Sequence, residues 1–135
     1  MRAIWGETMS ELVCLELSVV LWIVHVLVQA AFAGSALNPD YLLSARDQTL
    51  SPKGTSYGRA TRALANYIEN FTPFVAADLG LIATQHTGGW GATVWILARI
   101  VYVPLYLGGV KYARTGAWAI SIVGLVMMLA RLAGH

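Results

Sequence analysis

Residues Leu12 to Phe32 read LVCLELSVVLWIVHVLVQAAF, an apolar run interrupted only by Glu16, His25 and Gln29. At 1.5 Å per residue a helix needs about 20 residues to cross a hydrocarbon core of about 30 Å. In lipid every backbone amide must find its partner within the chain, so a run of this kind predicts a transmembrane helix. Working outward from it, three more apolar stretches follow: Gly58 to Thr84, polar on one side in its first half and apolar in its second apart from Asp78; Ala92 to Tyr112, containing Arg99; and Thr115 to Leu132, uncharged until Arg131. They predict an all-α membrane protein of one domain, residues 1–135, with helices over about 10–33, 58–85, 91–113 and 115–133. The connections near 85–91 and 108–114 are short, which makes successive helices antiparallel neighbours in an up-down bundle. The longer segment from Gly34 to Tyr57 contains Asn38-Pro39-Asp40 and Ser51-Pro52-Lys53-Gly54 and reads as a polar loop.

Composition agrees with lipid as the solvent. Of the 135 residues, 57% are hydrophobic and 12% charged, too apolar for a soluble domain of this size and the opposite of a disordered chain. A net charge of +2 without a dense basic run argues against nucleic acid. The single cysteine, Cys14, reads as a buried small hydrophobe. Metal-type Cys/His spacing, a P-loop and a nucleophile elbow are all missing, so no metal is expected. The N-terminus carries Glu7 and Glu11 where a secretory signal would be basic, so the first apolar segment is expected to remain. The first and third connections with their flanks hold Arg46, Lys53, Arg59, Arg62, Lys111 and Arg114, and the second holds no Lys or Arg. That bias predicts the six-residue side to be cytoplasmic and both termini, with Arg2 and Arg131, to lie opposite.

A charge at mid-bilayer costs about 2.5–3.5 kcal/mol on insertion scales, so charges inside spans face the interior and find partners. In the second stretch Arg59, Arg62, Asn66, Glu69 and Asn70 share one helical face; in the third, Arg99, Tyr102 and Tyr106 do. Two such faces on adjacent helices can line a cleft. Arginine forks match carboxylates, Asn66 and Glu69 can accept from amide and ammonium groups, and tyrosine hydroxyls offer hydrogen bonds. The alternative is polar glue between helices. Glu69 and Arg99 read as a structural ion pair, each deep enough to need a counter-charge, whereas Arg62, Asn66, Tyr102 and Tyr106 read as a ligand site. His25 reads as an interior hydrogen-bonding residue, Glu16 and Asp78 as structural or interfacial, and His86 as solvated. Trp5, Trp22, Trp90, Trp95 and Trp118 read mostly as interface anchors, and Pro73 and Pro104 as kinks that make room for a ligand.

Arg59-Ala-Thr-Arg62-Ala-Leu-Ala-Asn66-Tyr-Ile-Glu69-Asn70 with Phe71 and Pro73, then Arg99-Ile-Val-Tyr102-Val-Pro-Leu-Tyr106, then Tyr112-Ala-Arg114-Thr-Gly-Ala-Trp118 together resemble the MAPEG family of membrane-associated proteins in eicosanoid and glutathione metabolism. Tyr41-Leu-Leu-Ser-Ala-Arg46-Asp47 looks like the first-loop segment of bacterial members. The resemblance implies a four-helix protomer that assembles as a homotrimer, with glutathione sites between protomers on the cytoplasmic side. It implies a glutathione-binding set of Arg62, Asn66, Glu69, Asn70, Tyr102 and Tyr106, with Arg114 stabilising the thiolate and Arg99 able to pair with Glu69. The expected activity is that of a glutathione transferase or peroxidase acting on apolar electrophiles or lipid hydroperoxides, in a bacterial inner membrane, among lipids and within a larger membrane complex if one forms. The rival expectation is a non-catalytic lipid-binding or scaffold subunit of the same fold. A transporter is disfavoured by the lack of an inverted repeat and of a dense ring of intramembrane charge.

Overall fold

A computed structural model describes residues 9–45 and 54–134. The polypeptide forms α1 (Glu11–Ala36), a short α2 (Pro39–Leu43), α3 (Ser56–Ala83), α4 (Gly91–Leu107) and α5 (Lys111–Ala133), with no strand among the described residues. Arg2, Trp5, Glu7, Arg46, Asp47, Ser51, Pro52 and Lys53 lie outside the described residues. Helices α1 and α5 are long and apolar enough to cross a membrane, and α4 is a shorter apolar helix. At 28 residues α3 reaches about 42 Å, but its polar face lowers its hydropathy.

The polarity of the bundle runs from inside to outside in the sense that lipid demands. Ser18, His25, Asp78, Arg99 and Ser121 are buried, while Leu27 and Leu129 are about three-fifths exposed. Water would reverse that order; lipid tails favour it, because polar groups can be satisfied only against one another. On α1 the buried residues Cys14, Ser18, Leu21 and His25 recur at helical spacing and form the stripe that packs inward. The ends are fixed locally. The Ser10 hydroxyl accepts from the Val13 amide at 3.3 Å to start α1, and Asn38 accepts from the Asp40 amide to start α2. This short helix breaks the loop expected over 34–57, because Pro39 sits in its first turn with φ already set.

The core is aromatic. Phe74 and Trp95 stack at 3.9 Å with planes 10° apart, and Tyr67 stands 5.8 Å from Trp95 and 4.5 Å from His25. The Tyr67 hydroxyl donates to the Ser18 carbonyl, and His25 Nδ1 donates to that of Leu21 at 2.8 Å. Trp95, expected as an interface anchor, is thus a core residue, whereas Trp90 at the head of α4 is 56% exposed. Asp78, expected as structural or interfacial, is fully buried. Helices α4 and α5 meet backbone to backbone. A Cβ on Gly124 would lie 2.8 Å from the Gly91 carbonyl and from the Trp95 amide, and one on Gly91 would lie 2.6 Å from Met128 Cγ.

The two short reversals, α3 to α4 and α4 to α5, are closed by the same device. The helix expected over 91–113 stops at Leu107 because Gly109 takes φ +72°, and α5 restarts at Lys111. The Val110 amide reaches back to Leu105 and the Gly109 amide to Tyr106, the paired bonds of a Schellman turn. At the opposite end Gln85, at φ 60°, plays the same part: His86 donates to Leu81 and Gln85 to Ile82. Arg131 then grips that loop, donating to the carbonyls of His86 and Thr87 at 2.7 Å each. Glu11, nearly fully buried, accepts from the amides of Gly88 and Gly89. His86, expected to be merely solvated, is part of this clasp.

Gly124→Ala should destabilise the detergent-solubilised protein by about 1–3 kcal/mol, the usual cost of overpacking a tight contact. Gly116→Ala, inside α5 where a Cβ meets nothing within 4 Å, should instead keep or raise the denaturation midpoint, since Ala gains about 0.5–1 kcal/mol over Gly within a helix.

Candidate functional site

The end of the bundle opposite Glu11 and Arg131 is where the sequence motifs meet. On α3, at 3.6 residues per turn, Tyr67 and Asn70 point inward, Arg62 and Glu69 point outward, and Asn66 lies between. The Asn66 Oδ1 is buried without a hydrogen-bond partner among the described residues. Across from it α4 presents Tyr102 and Tyr106, whose rings lie 5.4 Å apart. The first turns of α5 bring Arg114, with its guanidinium carbon 4.8 Å above the Tyr106 ring. Asn66, Tyr102, Arg114, Thr115 and Trp118 line one cavity of about 160 Å³.

Four expected site residues are therefore brought together: Asn66, Tyr102 and Arg114 line the cavity, and Tyr106 supports Arg114 from behind. Three are not. Arg62 is exposed and folded back over Gly58, where a Cβ would lie 3.1 Å from its Nη1. Glu69 is exposed. Asn70 is buried and donates to the Asn66 carbonyl at 2.9 Å, so its amide serves the helix backbone. Thr115 and Trp118 were not anticipated as lining residues. Their signal was available, since Trp118 is one turn beyond Arg114 and faces the same way.

The expected ion pair between Glu69 and Arg99 is absent within the chain. Arg99 is fully buried, and its three guanidinium nitrogens have no hydrogen-bond partner among the described residues. Its neighbours are rings: the guanidinium carbon lies 4.3 Å over Tyr102 and 5.4 Å over Tyr67. Cation–π attraction of this kind is worth about 2 kcal/mol or more when desolvated. Glu69 points away because it is out of phase with Tyr67 and Asn70 on α3, so depth alone did not determine pairing.

Positive charge is concentrated here. Arg59, Arg99 and Arg114 serve the same end of the bundle, and the amides opening α5 have no side-chain cap. Uncapped helix N-termini carry partial positive charge. Among the described residues no cluster of His, Cys, Asp and Glu could hold a metal ion, and the residues present suit an organic anion with hydrogen-bond donors.

These features define a class: an all-helical integral membrane protein with a polar interior and a cationic cavity between three helices at one end. Within that class the chain belongs to the MAPEG family, whose model matches residues 12–134. No curated protein and no solved structure matches the chain. Membership carries a general role in membrane-bound glutathione or eicosanoid metabolism.

Arg114 owes its place to the ring beneath it. In detergent, Tyr106→Ala should raise the rate at which phenylglyoxal modifies Arg114, followed by peptide mass spectrometry, while Tyr106→Phe, which keeps the ring, should not.

Proposed function

We propose that this protein is a membrane glutathione transferase or peroxidase that activates the glutathione thiolate against apolar electrophiles or lipid hydroperoxides. The observation that carries this is the convergence of Asn66, Tyr102 and Arg114 on one cavity, with Tyr106 stacked under the guanidinium. A free thiol has a pKa near 8.5, so little of it is thiolate at neutral pH. A guanidinium within a few ångströms favours the anion, and Arg114 in the opening turns of α5 adds its charge to the positive end of that helix. The unpartnered Asn66 Oδ1 is an acceptor for a peptide or ammonium N–H, and the tyrosine hydroxyls complete the hydrogen-bonding set.

In a transfer step the sulfur would form a bond to the electrophilic carbon as the leaving group departs with its electron pair. With a hydroperoxide, the sulfur would attack the terminal oxygen, the O–O bond would break, and the alkoxide would take a proton. A second glutathione would then convert the sulfenic acid to disulfide and water. Trp118, 38% exposed at the rim, suits an apolar substrate arriving laterally from the bilayer.

The cavity is smaller than the 300–1,000 Å³ typical of ligand pockets, so a single chain would hold only the thiol end. Arg62 and Glu69 are exposed on α3, and a charge facing lipid costs about 2.5–3.5 kcal/mol at mid-bilayer. A homotrimer of four-span protomers would cover both and let them meet the carboxylate and ammonium groups of the ligand. The basic end, with Arg59, Arg62, Lys111 and Arg114, would face the cytoplasm of a bacterial inner membrane, with both termini opposite.

Arg114→Ala should reduce glutathione thiolate formation, measured by ultraviolet difference absorption, by about tenfold or more, since a nearby guanidinium lowers an acid's pKa by about 1–3 units. Mass measurement in mild detergent should give a trimer. If millimolar glutathione gives neither binding nor thiolate, the protein is instead a non-catalytic lipid-binding or scaffold subunit.

A further inference from the structure

The α4–α5 turn separates Tyr106 from Arg114, and its backbone can be accounted for group by group. Gly108 donates to the Pro104 carbonyl, Val110 to that of Leu105 and Gly109 to that of Tyr106. One carbonyl of the last turn of α4 is left over, that of Leu107. It accepts at 3.2 Å from Nη1 of Arg59, which comes from the first turn of α3. The same guanidinium lies flat on Gly109, where a Cβ would fall 3.0–3.2 Å from its Nη1, Nη2 and ζ-carbon. The last turn of α4 has no basic residue of its own, so the positive charge that a helix C-terminus favours is supplied by another helix.

We infer that Arg59 is a positioning residue: it locks the start of α3 onto the α4–α5 turn and so holds Tyr106 and Arg114 in register with Asn66. The geometry leads directly to the cavity. Arg59 and Asn66 are fixed on one rigid helix two turns apart, while Tyr106 precedes the clamped Leu107 and Arg114 follows the clamped Gly109. Gly109 is needed twice, once for its left-handed φ and once because a side chain there would push the guanidinium off the turn. Arg59 itself does not line the cavity. Its role for the reaction rests on the glutathione proposal; its role in holding Arg114 does not.

Three measurements on the purified full-length protein separate these. In Arg59→Ala, hydrogen exchange at the amides of Gly108, Gly109 and Val110 should rise by roughly tenfold, the change expected from losing one charge-assisted hydrogen bond. Phenylglyoxal should modify Arg114 faster. Glutathione affinity and thiolate absorbance should both fall, and Arg59→Lys, which keeps a donor for the Leu107 carbonyl, should recover part of each loss. A variant that fails to fold is replaced by Arg59→Gln, which keeps a polar side chain at the head of α3 but ends two bonds short of Nη1 and carries no charge, and should show the same losses as Arg59→Ala. Unchanged exchange and unchanged Arg114 reactivity overturn the clamp. Altered exchange and reactivity with unaltered glutathione affinity and thiolate overturn its bearing on the site. If the wild-type protein takes no glutathione while the first two measurements respond, the clamp stands and the proposed substrate falls.

Discussion

A helix that ends inside or at the edge of a bilayer leaves carbonyl groups that lipid cannot satisfy. Most of the architecture follows from how this chain meets that constraint. At both reversals among the described helices the chain uses a Schellman turn, and at both an arginine from a distant helix takes what the turn leaves over: Arg59 the carbonyl of Leu107, Arg131 those of His86 and Thr87. These bonds join the bundle end to end. One arginine ties the start of α3 to the corner of α4 and α5, and the other ties the end of α5 to the link between α3 and α4. Helix packing then needs only close approach, which Gly91 and Gly124 permit.

With the ends secured, the interior can hold polar groups without disorder. Tyr67 is central to that interior. Its hydroxyl bonds the Ser18 backbone, its ring contacts His25 and Trp95, and its face lies beneath Arg99. Arg99 continues the stack to Tyr102, which lines the cavity. A rigid aromatic path thus runs from the core to the site, and the tyrosines at the cavity rest on packed side chains. Supporting residues of this kind keep functional groups in place.

Legibility in the sequence divided along physical lines. The apolar runs revealed the membrane and the helices because burial in lipid needs length and composition alone. The α3 motif showed which residues share a side of the helix, since spacing fixes relative angle. It could not show which part of that side turns inward: Asn66 and Asn70 differ by one turn in sequence, yet one reaches the cavity and the other caps a carbonyl of its own helix. The ion pair between Glu69 and Arg99 was inferred from depth, but aromatic faces also attract a cation, and depth alone does not say which kind of neighbour it meets. The end of α4 was misjudged because Lys111 and Tyr112 extend the helical pattern past two glycines whose conformation breaks it. Trp95 was misplaced for a related reason, since tryptophan suits both an interface and an aromatic core.

The buried charges also have an order along the bundle. Arg99 lies in the half that holds the cavity, and Glu11 and Asp78 lie in the half closed by the clasp. Shielded from water, such charges act over longer distances than they would at a surface. At one mouth the field of Arg99 therefore adds to those of Arg59 and Arg114, and an anion approaching it meets attraction that begins before any contact forms. At the other mouth the negative charge of Glu11 and the positive charge of Arg131 sit on the same loop and largely offset each other. The long-range pull on an anion is one-sided, and part of it comes from a buried arginine that never touches the cavity.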